Sequence, residues 1–212
     1  PRSLGSSSLL SLSLSSRRPP NAMPRVLVPI ADDSEEIETS CVTDVLVRAG
    51  VEVTVASVMP EGRLQCKMAR GLKVVADVPI ADCVGKEWDA IALPGGMPGA
   101  KHLSECAPLV ELLKAQVAAN KTLGAVCAAP AIVLAAHGLL PPTATSFPVD
   151  AFKSKLAEAG TAWTEARVVV DRSVVTSQGP GTSLQFALKL VERLVSREKA
   201  EEIAKALLTQ MP

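Results

Sequence analysis

The chain contains no tyrosine, only three phenylalanines and only two tryptophans. That scarcity removes the aromatic platforms on which nucleic-acid bases stack. Charge surplus is also missing: Lys plus Arg and Asp plus Glu number 22 each. No overall field therefore draws the protein to nucleic acid or to an anionic membrane surface. The five cysteines (Cys41, Cys66, Cys83, Cys106 and Cys127) are odd in number and form no CxxC pair. Neither a disulfide framework nor a zinc site is suggested, and a reducing compartment is expected. No apolar run reaches membrane-spanning length, and there is no internal repeat or second-domain linker.

Acidic residues are absent before Asp32, while Pro1 to Ala22 is dominated by Ser and Leu and carries Arg2, Arg17 and Arg18. A segment of that composition reads as an organellar transit peptide, since its apolar stretch is interrupted by serines where a secretory signal would be continuous. The alternative is a disordered or fragmentary leader, with Met23 starting a cytosolic form. The expected organisation is a leader over 1–22 and one α/β domain over 24–210, in the chloroplast or mitochondrion with a transit peptide and in the cytoplasm without one. At 212 residues and 48% hydrophobic, the chain can bury a sizeable core.

From Arg25 onward, strands and helices alternate. Arg25 to Ile30 and Val51 to Val58 are β-branched strands; between them Ser34 to Ala49 reads as a helix with Ser34 as N-cap and Ile37, Val42, Val45 and Leu46 on its buried side. A small strand over Leu72 to Val78, a strand from Trp88 to Leu93 and an amphipathic helix from Pro108 to Ala119 follow. Thr122 to Val126 is a strand running straight into an apolar helix that reaches Ala136. Thr143 to Phe147 is extended, and Val149 to Glu158 is helical. Ala166 to Val170 and Val174 to Ser177 pair as a hairpin, and two helices close the chain. The alternation predicts a doubly wound, mainly parallel sheet covered on both faces.

In such sheets the reactive site lies beyond the carboxyl ends of the strands. Three loops meet that condition: Asp32 to Glu38, Gly95-Gly96 and the stretch at Cys127. Taken alone, Cys127 reads as an inert core cysteine. Beside a carboxylate cluster and a glycine turn it becomes a candidate nucleophile, biased toward thiolate by the N–H groups of a helix's first turn. Asp32, Asp33, Glu35 and Glu36 are most simply solvated charges at a helix start. Glu38 lies deeper, where its side chain can turn under the loops toward Cys127, hold its proton and shuttle it. Gly95 and Gly96 allow the close backbone approach by which an N–H faces a developing oxyanion. The Gly179-Pro180-Gly181-Thr182 segment turns the chain and starts a helix; phosphate binding there is a weak alternative.

Four ordered motifs carry a family resemblance: SEEIET at Ser34 to Thr39, LPGGMPGA at Leu93 to Ala100, AVCAAP at Ala125 to Pro130 and TSQGPGTS at Thr176 to Ser183. Together they resemble the Parkinsonism-associated deglycase (DJ-one) branch of the PfpI superfamily. Within that branch the segments SFP at Ser146 to Pro148 and REKAEEIA at Arg197 to Ala204 are most similar to bacterial and plant or algal members. The resemblance implies a flavodoxin-like three-layer sandwich, a homodimer, and chemistry with no cofactor and no metal. Carried over residue by residue, Cys127 is the nucleophile, Glu38 its partner carboxyl, and Gly95, Gly96 and Ala128 the oxyanion-side backbone donors. Phe147 and Pro180 would border the pocket or a dimer contact. Arg48, at the end of the first helix, complements its dipole, and in the resembling family would reach the neighbouring subunit's site; Arg70 could line the pocket, and Cys66 would sit near the dimer contact.

Two departures narrow the activity. PfpI-type peptidases place His directly after the nucleophile, where this chain has Ala128. Some deglycase relatives carry a pocket His where Phe147 stands; His102 and His137 read as solvated or capping residues. The implied substrates are small α-oxoaldehydes such as methylglyoxal or glyoxal, or their early protein and thiol adducts, with nucleic acid entering only as a glycated substrate and no membrane partner. The alternative is a redox sensor or redox-regulated holdase chaperone in which Cys127 is oxidised to sulfinate.

Overall fold

Residues 22–212 are described by a computed structural model. The β-branched strands alternate as their period requires. In β1 (Arg25–Ile30), Val26, Val28 and Ile30 face one side of the sheet and Leu27 the other. The same split separates Ala90 and Ala92 from Ile91 and Leu93 in β6 (Ala90–Leu93). Strands buried on both faces belong in a parallel sheet, which helices must cover twice.

The remaining strands are β2 (Glu52–Ser57), β3 (Gln65–Lys67), β4 (Lys73–Val75), β5 (Val78–Pro79), β7 (Thr122–Val126), β8 (Thr143–Ala144), β9 (Ala162–Trp163), β10 (Val168–Asp171) and β11 (Val174–Ser177). Seven of the strands form the central sheet in the order β10-β11-β7-β6-β1-β2-β5. All its neighbours are parallel except β10 and β11, the expected hairpin. The small strand expected over Leu72 to Val78 is divided: β4 pairs antiparallel with β3, and β5 edges the main sheet.

Helices α1 (Glu36–Arg48), α5 (Ser183–Leu194) and α6 (Arg197–Ala206) cover one face, with Val42, Leu46, Phe186, Val191 and Ile203 in its core. Helices α2 (Gly99–Glu105) and α3 (Ala107–Ala118) cover the other through Leu103, Leu109 and Leu113. Helix α4 (Asp150–Glu158) packs with β8 and β9 over a small third cluster around Leu156. The chain thus has the expected three-layer α/β sandwich with a mainly parallel sheet. Gly124, inside β7, admits the Phe186 ring, because a Cβ there would lie 2.8 Å from it.

Three local expectations fail. Ser34 does not cap α1; its Oγ accepts from the Ala31 N–H at 3.0 Å, and the Glu35 carboxylate caps the helix by accepting from the Glu38 N–H at 2.8 Å. A longer side chain reaches back where Ser34 is already turned into the loop. Ile37 is 52% exposed and not part of the buried face. After Cys127 the chain forms a π-helical stretch (Pro130–Leu134) followed by a 3₁₀ turn (Ala135–His137) in place of a regular α-helix. Among the described residues, no helix is long and apolar enough to cross a membrane.

Candidate active site

The end of β7 bends sharply at Cys127, whose φ is +63°. Left-handed backbone is unfavourable for a residue with a Cβ and persists only where neighbours fix it. Here Cys127 N–H donates to the Ser177 carbonyl at 3.0 Å, and its own carbonyl accepts from Phe147 N–H at 2.9 Å. The thiol is thereby lifted out of the strand into a cleft beyond the carboxyl ends of β1, β6 and β7.

Glu38, on the first turn of α1, is wholly buried. Its Oε2 accepts from the Gly95 N–H at 2.6 Å, while Oε1 makes no hydrogen bond of good geometry. The carboxyl and the Cys127 thiol are nevertheless near enough to shift one another's ionisation. Burial pushes the Glu38 carboxyl up to about 7, against the opposing pull of the Gly95 N–H. Burial first, and the Glu38 charge second, push the Cys127 thiol up to about 12; the N–H groups of Gly96 and Ala128 act in the other direction. A thiol simply biased toward thiolate, as the sequence suggests, is therefore not what the geometry provides. Two negative charges are disfavoured in this buried space, so above about pH 7 the pair still holds one proton between Glu38 and Cys127. With the proton on Glu38, the sulfur is the charged partner and Gly96 and Ala128 are its donors.

The glycine turn is held tightly on both sides. A Cβ at Gly95 would lie 2.7 Å from the Cys127 Cβ and 2.8 Å from the Ala128 nitrogen. Gly96 has φ +87°, and a Cβ there would meet the Asp33 carbonyl at 2.2 Å. Only glycine lets this loop press between the α1 approach and the elbow. Of the three expected oxyanion-side donors, Gly96 and Ala128 face the sulfur, whereas the Gly95 N–H is occupied by Glu38.

A cleft of about 390 Å³ opens over the thiol. Gly96, Cys127 and Ala128 form its floor, Phe147, Val149, Phe152, Pro180 and Met97 its apolar walls, and Glu35, Ala69 and Arg70 the remaining side. Phe147, Pro180 and Arg70 line this cleft. Arg48 ends α1, exposed, and pairs with Asp44 at 2.7 Å. Cys66 is fully buried. His137 ties two elements together, its Nε2 lying 2.9 Å from the Ser104 carbonyl and 3.2 Å from its hydroxyl. Glu35, expected in solvent, is buried; it caps α1 and donates its N–H to the Gly95 carbonyl at 3.2 Å. An acid three residues before Glu38 was its only sequence signal. Among the described residues, no group of His, Cys, Asp or Glu side chains is arranged to hold a metal ion.

The family model described as DJ-1/PfpI matches residues 24–193. Among curated proteins, Protein DJ-1 homolog B of Arabidopsis thaliana is 45% identical over 87% of this chain and 41% of its own length. Glutathione-independent glyoxalase DJR-1.2 of Caenorhabditis elegans is 41% identical over 86% of this chain and 94% of its own. The chain spans less than half the length of the Arabidopsis homologs B and A, at 41% and 46%. Among solved structures, oxidized Toxoplasma gondii DJ-1 superposes with a TM-score of 0.82 at 43% identity, covering 88% of this chain and 98% of that one. Drosophila melanogaster DJ-1beta gives 0.83 at 35% identity, covering 89% and 100%. Elbow thiol, buried carboxyl and glycine turn thus lie within a sequence and a fold that agree, and the chain belongs to the DJ-1/PfpI family.

Proposed function

We propose that the chain is a cofactor-independent glyoxalase/deglycase that converts methylglyoxal, glyoxal and their early protein and thiol adducts to 2-hydroxy acids. The observation that carries this reading is the buried Glu38 carboxyl, held by the Gly95 N–H beside a thiol on a left-handed elbow. The name of the worm relative, a glutathione-independent glyoxalase, supports it.

The reaction uses the pair's single proton. The Cys127 sulfur bonds to the aldehyde carbon, the carbonyl π bond breaks, and its oxygen takes the proton, giving a hemithioacetal. Gly96 and Ala128 N–H groups stabilise that oxygen as charge develops. Glu38, now ionised, removes the hydrogen from the former aldehyde carbon and returns it to the neighbouring carbon, through an enediol. The hydroxyl proton passes to the neighbouring oxygen in the same interval, leaving a 2-hydroxyacyl thioester on Cys127. Water then cleaves the carbon–sulfur bond, so the aldehyde has gained one water and the thiol is restored. With a glycated amine the same relay frees the amine.

In this reading 24–210 acts as one unit and pairs as a homodimer. Exposed Ile37 on α1, beside a hollow shared with Leu184 and Leu208, supports a second subunit there. Arg48 would serve that partner's site. The leader, 1–22, would direct the protein to chloroplast or mitochondrion; residues 1–21 lie outside the described structure.

Peroxide oxidation of Cys127 is the second use, favoured by the unpartnered Glu38 Oε1 and by donors suited to sulfinate oxygens. Two peroxides would add two oxygens to the sulfur and leave as two waters. Lactate formation from methylglyoxal by purified protein tests the enzyme reading. Cys127→Ser should lower it at least about a thousandfold and Glu38→Gln about a hundredfold; a serine variant as active as the parent would end this mechanism.

A further inference from the structure

The cleft is larger and more apolar than methylglyoxal requires. Its 390 Å³ falls among pockets that enclose much bigger ligands, roughly 300–1,000 Å³. Beyond the sulfur its walls are Phe147, Val149, Phe152, Pro180 and Met97. Three of these remain substantially open: Met97 is 52% exposed, Phe147 40% and Val149 39%. Apolar side chains gathered around one cleft leave a surface that an apolar ligand covers at a gain. Phe147 is a wall beside the chemistry. Its backbone N–H anchors the Cys127 carbonyl, and a Cβ at Gly179 would lie 3.2 Å from its ring and 4.0 Å from the Cys127 sulfur. Ring and sulfur therefore flank the same glycine. Neither His102 nor His137 lines the cleft, so no imidazole competes for this position.

We infer that the site selects α-oxoaldehydes whose ketone carbon carries a bulky apolar group, aryl or branched alkyl, and that Phe147 is the specificity-determining residue. This rests on the α-oxoaldehyde reading above. Once the aldehyde carbon is bonded to Cys127, the substituent on the neighbouring carbon extends along the Phe147, Val149 and Phe152 wall. An aryl ring there gains apolar contact and ring-edge packing that a methyl group cannot make. The chemistry is unchanged: an arylglyoxal plus one water gives the 2-aryl-2-hydroxy acid.

The test compares kcat/KM for phenylglyoxal and methylglyoxal, from initial rates, in the parent and in Phe147→Ala. The intrinsic reactivities of the two aldehydes cancel when the ratio in the variant is divided by the ratio in the parent. That quotient should fall about tenfold, with Val149→Ser lowering it about threefold and Phe147→Leu restoring most of it. A quotient that stays at one in both Phe147→Ala and Val149→Ser overturns the inference. Binding is read separately through protection of Cys127 from iodoacetamide by mandelate and by lactate. Mandelate should protect at about tenfold lower concentration; equal protection overturns the inference even in a protein that turns over neither aldehyde. Absence of turnover together with preferential mandelate protection would instead remove the enzyme reading and leave the apolar selectivity standing.

Discussion

Cys127 and Cys66 make an instructive pair. Burial raises both thiols above the ordinary range, and it is the largest influence on each. Cys66 sits on β3 with no exposure, its sulfur 3.5 Å from the Ser57 hydroxyl. Cys127 sits one residue past β7 on a left-handed elbow, with a carboxyl partner, two facing N–H groups and a cleft above it. Burial alone therefore does not make a reactive cysteine. Backbone geometry decides which buried thiol faces a cleft and which fills a core.

The largest expected difference between the two is in alkylation. In the folded protein iodoacetamide should modify Cys127 at least about a thousandfold faster than Cys66, because Cys66 reacts only when the hairpin that carries it opens. Peptide mass mapping over time checks this, and comparable rates would erase the distinction. Next is Glu38→Gln, which should stabilise the fold while impairing turnover. The folded pKa of about 7 lies above the 4.5 of an unperturbed glutamate. Between those values the native state binds more protons than the unfolded chain, so Glu38 costs stability increasingly as pH rises. The cost is absent below about 4.5 and reaches about 3 kcal/mol above about 7. Denaturant titration should accordingly find the Gln variant more stable at pH 8, with the gain vanishing at pH 4; a loss at pH 8 would refute the burial argument. The smallest effect is on the Cys66 side. Ser57 accepts from Met59 N–H at 3.2 Å and donates to the Arg63 carbonyl at 2.6 Å. Ser57→Ala should cost about 1 kcal/mol in a melt and leave methylglyoxal turnover as it was.

The strands were legible because their β-branched residues alternate, as Val26, Val28 and Ile30 do, and because Gly50 and Gly138 punctuate the helices. The grouping of Cys127, Glu38, Gly96 and Ala128 was legible in outline, because the sheet's polarity places the ends of their three strands together; the roles come from the family resemblance alone. Other features lacked a local signal. β3 and β4 are three residues each, too short for a period to register. The apolar run from Pro130 to Leu134 reads as an ordinary helix, and nothing in its residues marks the widened turn. By sequence Glu35 belongs in solvent, as charge normally does; its burial follows from capping α1 beneath the glycine turn. The resemblance offers the N–H of Gly95 to an oxyanion, whereas Glu38 takes it, a choice that only the folded loop fixes.

The central claim is that Glu38 and Cys127 share one proton and work as a unit. The pH dependence of kcat/KM for Cys127-dependent lactate formation tests it most directly. A rate that climbs through an acid limb near 7, set by ionisation of the pair, is the predicted result. A rate that stays flat from about pH 5 to about pH 9 would contradict it.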